Sequence, residues 1–117
     1  MSQNRHKYQL LLTFLQQLRT DLTNNLLVAG EVRSRLNSLQ QVFLQQIAPL
    51  VDLDSREMSL RTEISKQIRL LEIDVMFLQG ARQAATVQSR MQTIGDRLTT
   101  LIQYCQAIAQ TDQEREE

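Results

Sequence analysis

The stretch from Asp54 to Gly80 constrains the fold most, because it has the pattern of one long helix with apolar residues on more than one side. Residues three and four positions apart share a helix face. One stripe with that spacing consists of Leu60, Ile64, Ile68, Leu71, Val75 and Leu78. Four other apolar residues lie off this stripe: Leu70, Ile73, Met76 and Phe77. A helix that covers a single core needs only one stripe, so the sequence predicts a second apolar surface here.

Two amphipathic stretches precede this helix. Residues 3–24 repeat apolar side chains at spacings of three and four and predict a first helix. A second helix is predicted to begin between Asn25 and Glu31. It should end or kink near Ala48, because Pro49 has no N–H for the helical ladder and clashes one turn back.

The third helix has its own start and stop residues. Asp54 can cap the first turn, with Glu57 three residues later, in a capping-box pattern that has Asp instead of Ser or Thr. Gly80 suits the left-handed residue that follows a helix. A fourth helix is predicted to begin between Arg82 and Val87. Its apolar residues alternate between spacings of four and three, as in coiled coils: Val87, Met91, Ile94, Leu98, Leu101, Cys105 and Ile108.

Four helices with short connections predict an all-α fold. The expected architecture is an antiparallel up-and-down four-helix bundle with coiled-coil-like packing, with dimerisation left open. The alternative is a pair of long helical hairpins that completes its core by dimerising. We assign residues 1–109 to a single helical domain and residues 110–117 to a polar tail that is expected to fray.

Charge and composition argue against nucleic-acid and membrane partners. The 117 residues carry 13 basic and 13 acidic side chains, so the chain has no overall field that attracts nucleic acid. No run approaches the roughly 20 apolar residues of a membrane span, and the N-terminal residues lack the apolar segment of a signal peptide. With its single cysteine, the chain is expected to be cytoplasmic.

The sequence contains no recognisable metal-binding, phosphate-binding or catalytic motif. His6 and Cys105 are the only His and Cys, and they stand nearly a whole chain apart, so no metal site is expected. No glycine-rich phosphate loop follows a strand, and no nucleophile has a base at a motif spacing. We therefore expect no catalytic residues, no cofactor and no small-molecule ligand.

Asp74 interrupts the apolar run of the third helix and is expected to be partly buried. A buried carboxylate needs a cationic or hydrogen-bonding partner. Arg82, Arg90 and Arg97 are the candidates across the hairpin of the third and fourth helices. A structural ion pair is the simpler interpretation, and a contact with a partner protein is the alternative.

The second apolar surface of the third helix is the candidate interaction site, because contiguous exposed apolar residues usually mark an interface. The alternative is that another helix or the end of helix 2 covers it. A homodimer contact is a further alternative. The candidate interface, with two basic residues at its rim, consists of Lys66, Arg69, Leu70, Ile73, Met76 and Phe77.

Residues 66–84, KQIRLLEIDVMFLQGARQA, resemble PatD, the heterocyst-frequency control protein family of filamentous cyanobacteria. Residues 96–105 and the opening residues 4–8 share this resemblance, which spans nearly the whole chain except the part after Ile108. It implies a non-enzymatic regulator that binds the cell-division protein FtsZ and modulates filament assembly, affecting cell division and heterocyst frequency. No residue roles carry over. The alternative function is a helical adaptor or structural module with an unrelated protein partner.

Overall fold

The computed structural model describes the backbone of residues 2–116 and the side chains of residues 4–109. Over residues 2–116, regular structure is entirely helical and no strand is present. The elements are α1 (Ser2–Thr23), α2 (Ala29–Val42), a π-helical segment (Phe43–Ile47), α3 (Ser55–Gly80) and α4 (Ala84–Glu116). The predicted all-α class is confirmed, and the starts of α2 and α4 lie within the predicted ranges.

All four helices contribute to one apolar core. From α3 the buried residues are Ile64, Ile68, Leu71, Val75 and Leu78, and from α4 they include Ile94, Leu98, Leu101, Cys105 and Ile108. Three residues of the predicted stripes are only partly buried and pack at the margin of the core: Leu60, Val87 and Met91. The spacing rule therefore identifies the buried face of each helix but not how far the core extends along it.

The helices differ in how extensively they contact one another. α4 packs extensively against both α1 and α3, whereas α2 makes smaller contacts with α1 and α3. The molecule measures 50 × 23 × 18 Å along its principal axes. A groove lies between α2 and α3, where the contact is weaker.

The π-helical segment that continues α2 ends at Ile47, as Pro49 predicted. The α-helix widens into the π-helical segment, in which the Ala48 N–H donates to the Phe43 carbonyl at 2.9 Å. Beyond it, Nη1 of Arg61 on α3 donates to the carbonyl oxygens of Leu50 at 2.9 Å and Ala48 at 3.3 Å. A helix end leaves carbonyls without helical partners, and Arg61 satisfies two such groups while joining this segment to α3.

The helix caps follow the sequence in one place and depart from it in another. Asp54 caps α3 as predicted, because its Oδ1 accepts the Glu57 N–H at 2.8 Å. The prediction for Gly80 is wrong: it is the last residue of α3 and has no positive φ. The chain leaves α3 through extended Ala81 (φ −76°, ψ 133°), so no left-handed residue is needed there.

A left-handed residue instead follows α1. Asn25 has φ 56°, its N–H donates to the Leu22 carbonyl, and the Leu26 N–H donates to the Asp21 carbonyl. This pair of hydrogen bonds is the Schellman arrangement that closes a helix C-terminus. Asn tolerates this conformation better than other non-glycine residues.

The predicted polar tail is described only in part. The backbone of α4 is helical to Glu116, while the side chains of residues 110–117 lie outside the described residues. The expectation that this tail frays therefore stays a prediction.

Candidate protein-binding face on the third helix

The side of α3 that points away from the core carries the six predicted interface residues. Ile73, Met76 and Phe77 expose 43%, 57% and 54% of their surface. Leu70 is half-buried, and Lys66 and Arg69 are exposed. We call this set of six residues the α3 outer face. No helix of the chain covers it among the described residues, although the sequence had left that alternative open.

Phe77 is held in place by α4. The guanidinium carbon of Arg90 lies 4.7 Å from the centre of the Phe77 ring, which is a cation–π contact. Such contacts at exposed sites contribute about 0.5–1 kcal/mol. Arg90 was a candidate partner for Asp74, and the structure assigns it to the aromatic ring instead. The α3 outer face therefore ends against a cationic side chain of the neighbouring helix.

Asp74 forms the predicted ion pair, and Arg97 is its partner. Nε of Arg97 donates to Oδ2 of Asp74 at 2.9 Å, and Nη1 donates to Oε1 of Gln67 at 3.2 Å. Asp74 is 8% exposed. Both partners point into the α3–α4 contact, so the pair joins the two helices and supports the structural interpretation of Asp74.

A groove of about 520 Å³ lies between α2 and α3, next to the α3 outer face. Its apolar lining comes from Phe43, Leu44 and Ile68, and its polar lining includes Asn37, Gln40, Gln41, Arg69 and Glu72. Arg69 belongs to both the groove and the α3 outer face. Sequence reasoning did not find this groove. The only available clue was Pro49, which ends the second helix before it can pack along the whole of α3.

Besides the Asp74–Arg97 ion pair, Tyr8 and Glu57 are buried polar residues that lie away from the α3 outer face. Tyr8 is fully buried, and Glu57 is 8% exposed and accepts a hydrogen bond from Nδ2 of Asn4 at 3.0 Å. Burial, and then the charge of Glu57, raises the pKa of the Tyr8 hydroxyl. Burial also raises the pKa of the Cys105 thiol to about 12. A buried thiol with so high a pKa stays protonated and is a poor nucleophile, which agrees with the predicted role of Cys105 as a core residue.

The described part of the chain contains neither a metal-binding cluster nor a membrane-spanning helix. Within it, no group of three or more His, Cys, Asp or Glu side chains is arranged to hold a metal ion. No helix in the described part of the chain has the length and apolar character to cross a bilayer.

A comparison with family models places most of the chain in a known domain family. The family model of the CRR41 C-terminal domain matches residues 9–106, which covers α2, α3 and most of α1 and α4. Neither the curated proteins nor the solved structures include a significant match. The resemblance to PatD, and the function it implies, stay predictions. The chain belongs to the CRR41 C-terminal domain family.

Proposed function

We propose that this chain is a non-enzymatic interaction protein that binds another protein through the α3 outer face. The observation that carries the proposal is the adjacent exposure of Ile73, Met76 and Phe77. Burying a fully exposed apolar side chain contributes about 1.5–3 kcal/mol. Covering three half-exposed ones would contribute roughly 3 kcal/mol, about a third of the free energy of micromolar binding.

FtsZ is the partner that we propose by name, with effects on filament assembly, cell division and heterocyst frequency. The support is the resemblance of residues 66–84 to PatD, a stretch that contains the entire α3 outer face. If FtsZ is not the partner, the same face would serve a helical adaptor with an unrelated protein partner. The free buried thiol of Cys105 is compatible with the reducing cytoplasm in which such a partner occurs.

The test mixes purified protein with FtsZ and GTP and follows assembly by light scattering and sedimentation. We expect the wild-type protein to sediment with the filaments and to change the scattering signal. Phe77→Asp should abolish both effects, because it places a charge in the contact. Leu10→Asp is the matched control, since Leu10 is also exposed, at 41%, but lies on α1. Unchanged assembly with Phe77→Asp, folded by circular dichroism, would remove the α3 outer face from the proposal.

We infer an antiparallel, up-and-down order for the four helices. Two pairs of contacts support it. Between α2 and α3, the Arg33 side chain donates a hydrogen bond to Gln79, and the Gln40 side chain donates one to Glu72. Between α1 and α4, Arg19 bonds to Thr99, and the space at Gly95 is nearest to Leu22. In each pair residue numbers rise along one helix as they fall along the other. The alternating four and three spacing of the buried α4 residues supports coiled-coil-like packing.

A homodimer through the α3 outer face is the alternative to binding another protein, and the sequence had left it open. The single chain already shares one core among its four helices, so dimerisation is not needed to complete the interior. A dimer would have to use outer surfaces. Analytical ultracentrifugation of the wild-type protein and of Phe77→Asp tests this, with a change from dimer to monomer as the supporting result.

A further inference from the structure

Cations lie on and beside the α3 outer face. Lys66 and Arg69 are exposed, and neither forms an ion pair within residues 4–109. Arg90 lies over the Phe77 ring. The chain as a whole has zero net charge, so this local excess of positive charge is a property of the face.

Of the nearby carboxylates, Asp74 is neutralised by an ion pair, whereas Glu72 and Glu63 keep their charge at the edge of the face. Asp74 is paired with Arg97, and Glu72 accepts a hydrogen bond from Gln40 at 3.0 Å. Glu63 is half-buried two turns before Leu70. A ligand that covers Ile73, Met76 and Phe77 would therefore meet the cations Lys66, Arg69 and Arg90, and acidic side chains are the groups that would complement them.

We propose that the α3 outer face and the adjoining α2–α3 groove bind an acidic amphipathic helix of a partner protein. This inference rests on the proposed function and specifies the chemistry of the partner segment. From Lys66 to Phe77 the face extends about 17 Å at the rise of an α-helix, which a partner helix of about three turns covers. Apolar side chains at helical spacing would contact Ile73, Met76 and Phe77, and a flanking one would enter the groove beside Leu44.

The shape and lining of the groove favour a polypeptide over a lipid surface. The groove is concave, and amide side chains of Asn37, Gln40 and Gln41 line it. Amides can hydrogen-bond to a partner side chain or backbone, whereas the hydrocarbon interior of a bilayer offers them no hydrogen-bonding partner. Basic residues beside apolar ones also occur on membrane-binding helices, so vesicle binding is one outcome of the test.

A second copy of this chain fits the face poorly. Two identical faces would bring cations against cations or against apolar side chains, because the α3 outer face has no carboxylate of its own. The C-terminal residues 110–117, QTDQEREE, are acidic but contain no apolar side chain to cover Ile73 or Phe77. The complementary segment therefore belongs to another protein.

The test is a selection that does not use FtsZ. Displayed helices of about 18 residues, long enough to be helical, carry Leu or Phe at core positions and random Glu, Gln or Lys at flanking positions. Immobilised wild-type protein is expected to enrich Glu-rich sequences. The Lys66→Glu/Arg69→Glu variant should enrich Lys-rich sequences instead, because the sign of the rim is reversed.

Affinities of the best peptides are then measured by fluorescence anisotropy at increasing salt. Arg69→Glu should weaken binding about tenfold, because an attraction becomes a repulsion. Arg19→Glu changes the net charge equally on the α1 side of the molecule and should leave affinity within about twofold. Ile73→Asp should abolish binding, and Leu10→Asp should not.

Three results would overturn the inference: no enriched peptide, enrichment without excess Glu, or peptides that bind Arg69→Glu as well as wild type. Sedimentation with phosphatidylserine vesicles, together with no peptide binder, would assign the face to a membrane surface instead. A failed FtsZ assay with successful selection of acidic helices would reject FtsZ and leave the inference standing. FtsZ binding that is lost in Phe77→Asp, together with no enrichment of acidic peptides, would support FtsZ as the partner and reject the acidic-helix inference.

Discussion

Arg97 on α4 donates from Nε to Oδ2 of Asp74 on α3 at 2.9 Å, and this ion pair connects the two helices. The Asp74 side chain is 11% exposed and that of Arg97 is 26% exposed. The contact is therefore shielded from water more than an ordinary surface ion pair, but less than a fully buried one.

Removal of either partner should destabilise the protein. We expect Asp74→Ala and Arg97→Ala each to lower the free energy of unfolding by about 1–3 kcal/mol, because the remaining charge loses its partner in a partly buried site. Urea denaturation of the two single variants and the double variant measures the coupling, expected near 1 kcal/mol. Asp96→Ala is the control, since Asp96 is exposed and its carboxylate accepts from Gln92, four residues earlier on the same helix. Equal effects of Asp74→Ala and Asp96→Ala would contradict this account.

Asp21 makes acid stability depend on the α1–α2 contact. The hydrogen bond from Arg35, at 2.8 Å, holds the pKa of Asp21 below its ordinary value of 3.8. A carboxyl with a lowered folded-state pKa stabilises the fold above its unfolded pKa, and that contribution is lost as the pH falls through the folded value. The test measures the free energy of unfolding between pH 5 and pH 2. In wild type this free energy should fall more steeply with decreasing pH below about pH 4. The slope should be shallower in Asp21→Asn, and identical slopes would count against the assignment.

Cys105 should report on unfolding. It is fully buried, and burial raises the pKa of its thiol to about 12, so the native thiol is neutral and inaccessible. Reaction with Ellman's reagent at pH 8 should proceed only at the rate of opening or unfolding. In urea above the transition the reaction should be fast and account for one thiol per chain. Fast stoichiometric labelling without denaturant would show that the α4 core is not closed.

Two glycines should be replaceable with a gain in stability. Gly80 and Gly95 have no positive φ, and an added Cβ would meet nothing within 4 Å at Gly80 and only Cδ2 of Leu22 at 3.9 Å at Gly95. Alanine should raise the free energy of unfolding by about 0.5–1 kcal/mol at Gly95 and by less at Gly80, the last residue of α3. Thermal unfolding measures the change. Asn25→Ala is the opposite control: it should destabilise, because Asn25 has φ 56°.

The candidate face was predictable because it depends on one helix. Ile73, Met76 and Phe77 share a side of α3 whatever surrounds it, since their positions relative to the buried stripe follow from helical geometry. The groove beside them was not predictable in the same way. It depends on where α2 stops and on how closely α2 approaches α3, and neither distance is encoded by the spacing of residues within a helix.

The sequence by itself determined the four helices, the buried stripe of each, the Asp54 cap and the break at Pro49, because these depend on residues within a few positions of one another. Tertiary structure decided the partner of Asp74, since three arginines were within reach and only the rotation and offset of α4 against α3 selected Arg97. It also decided that Gly80 stays helical and that Phe77 contacts Arg90. These outcomes depend on how separate helices are placed relative to one another, and local spacing carries no information about that placement.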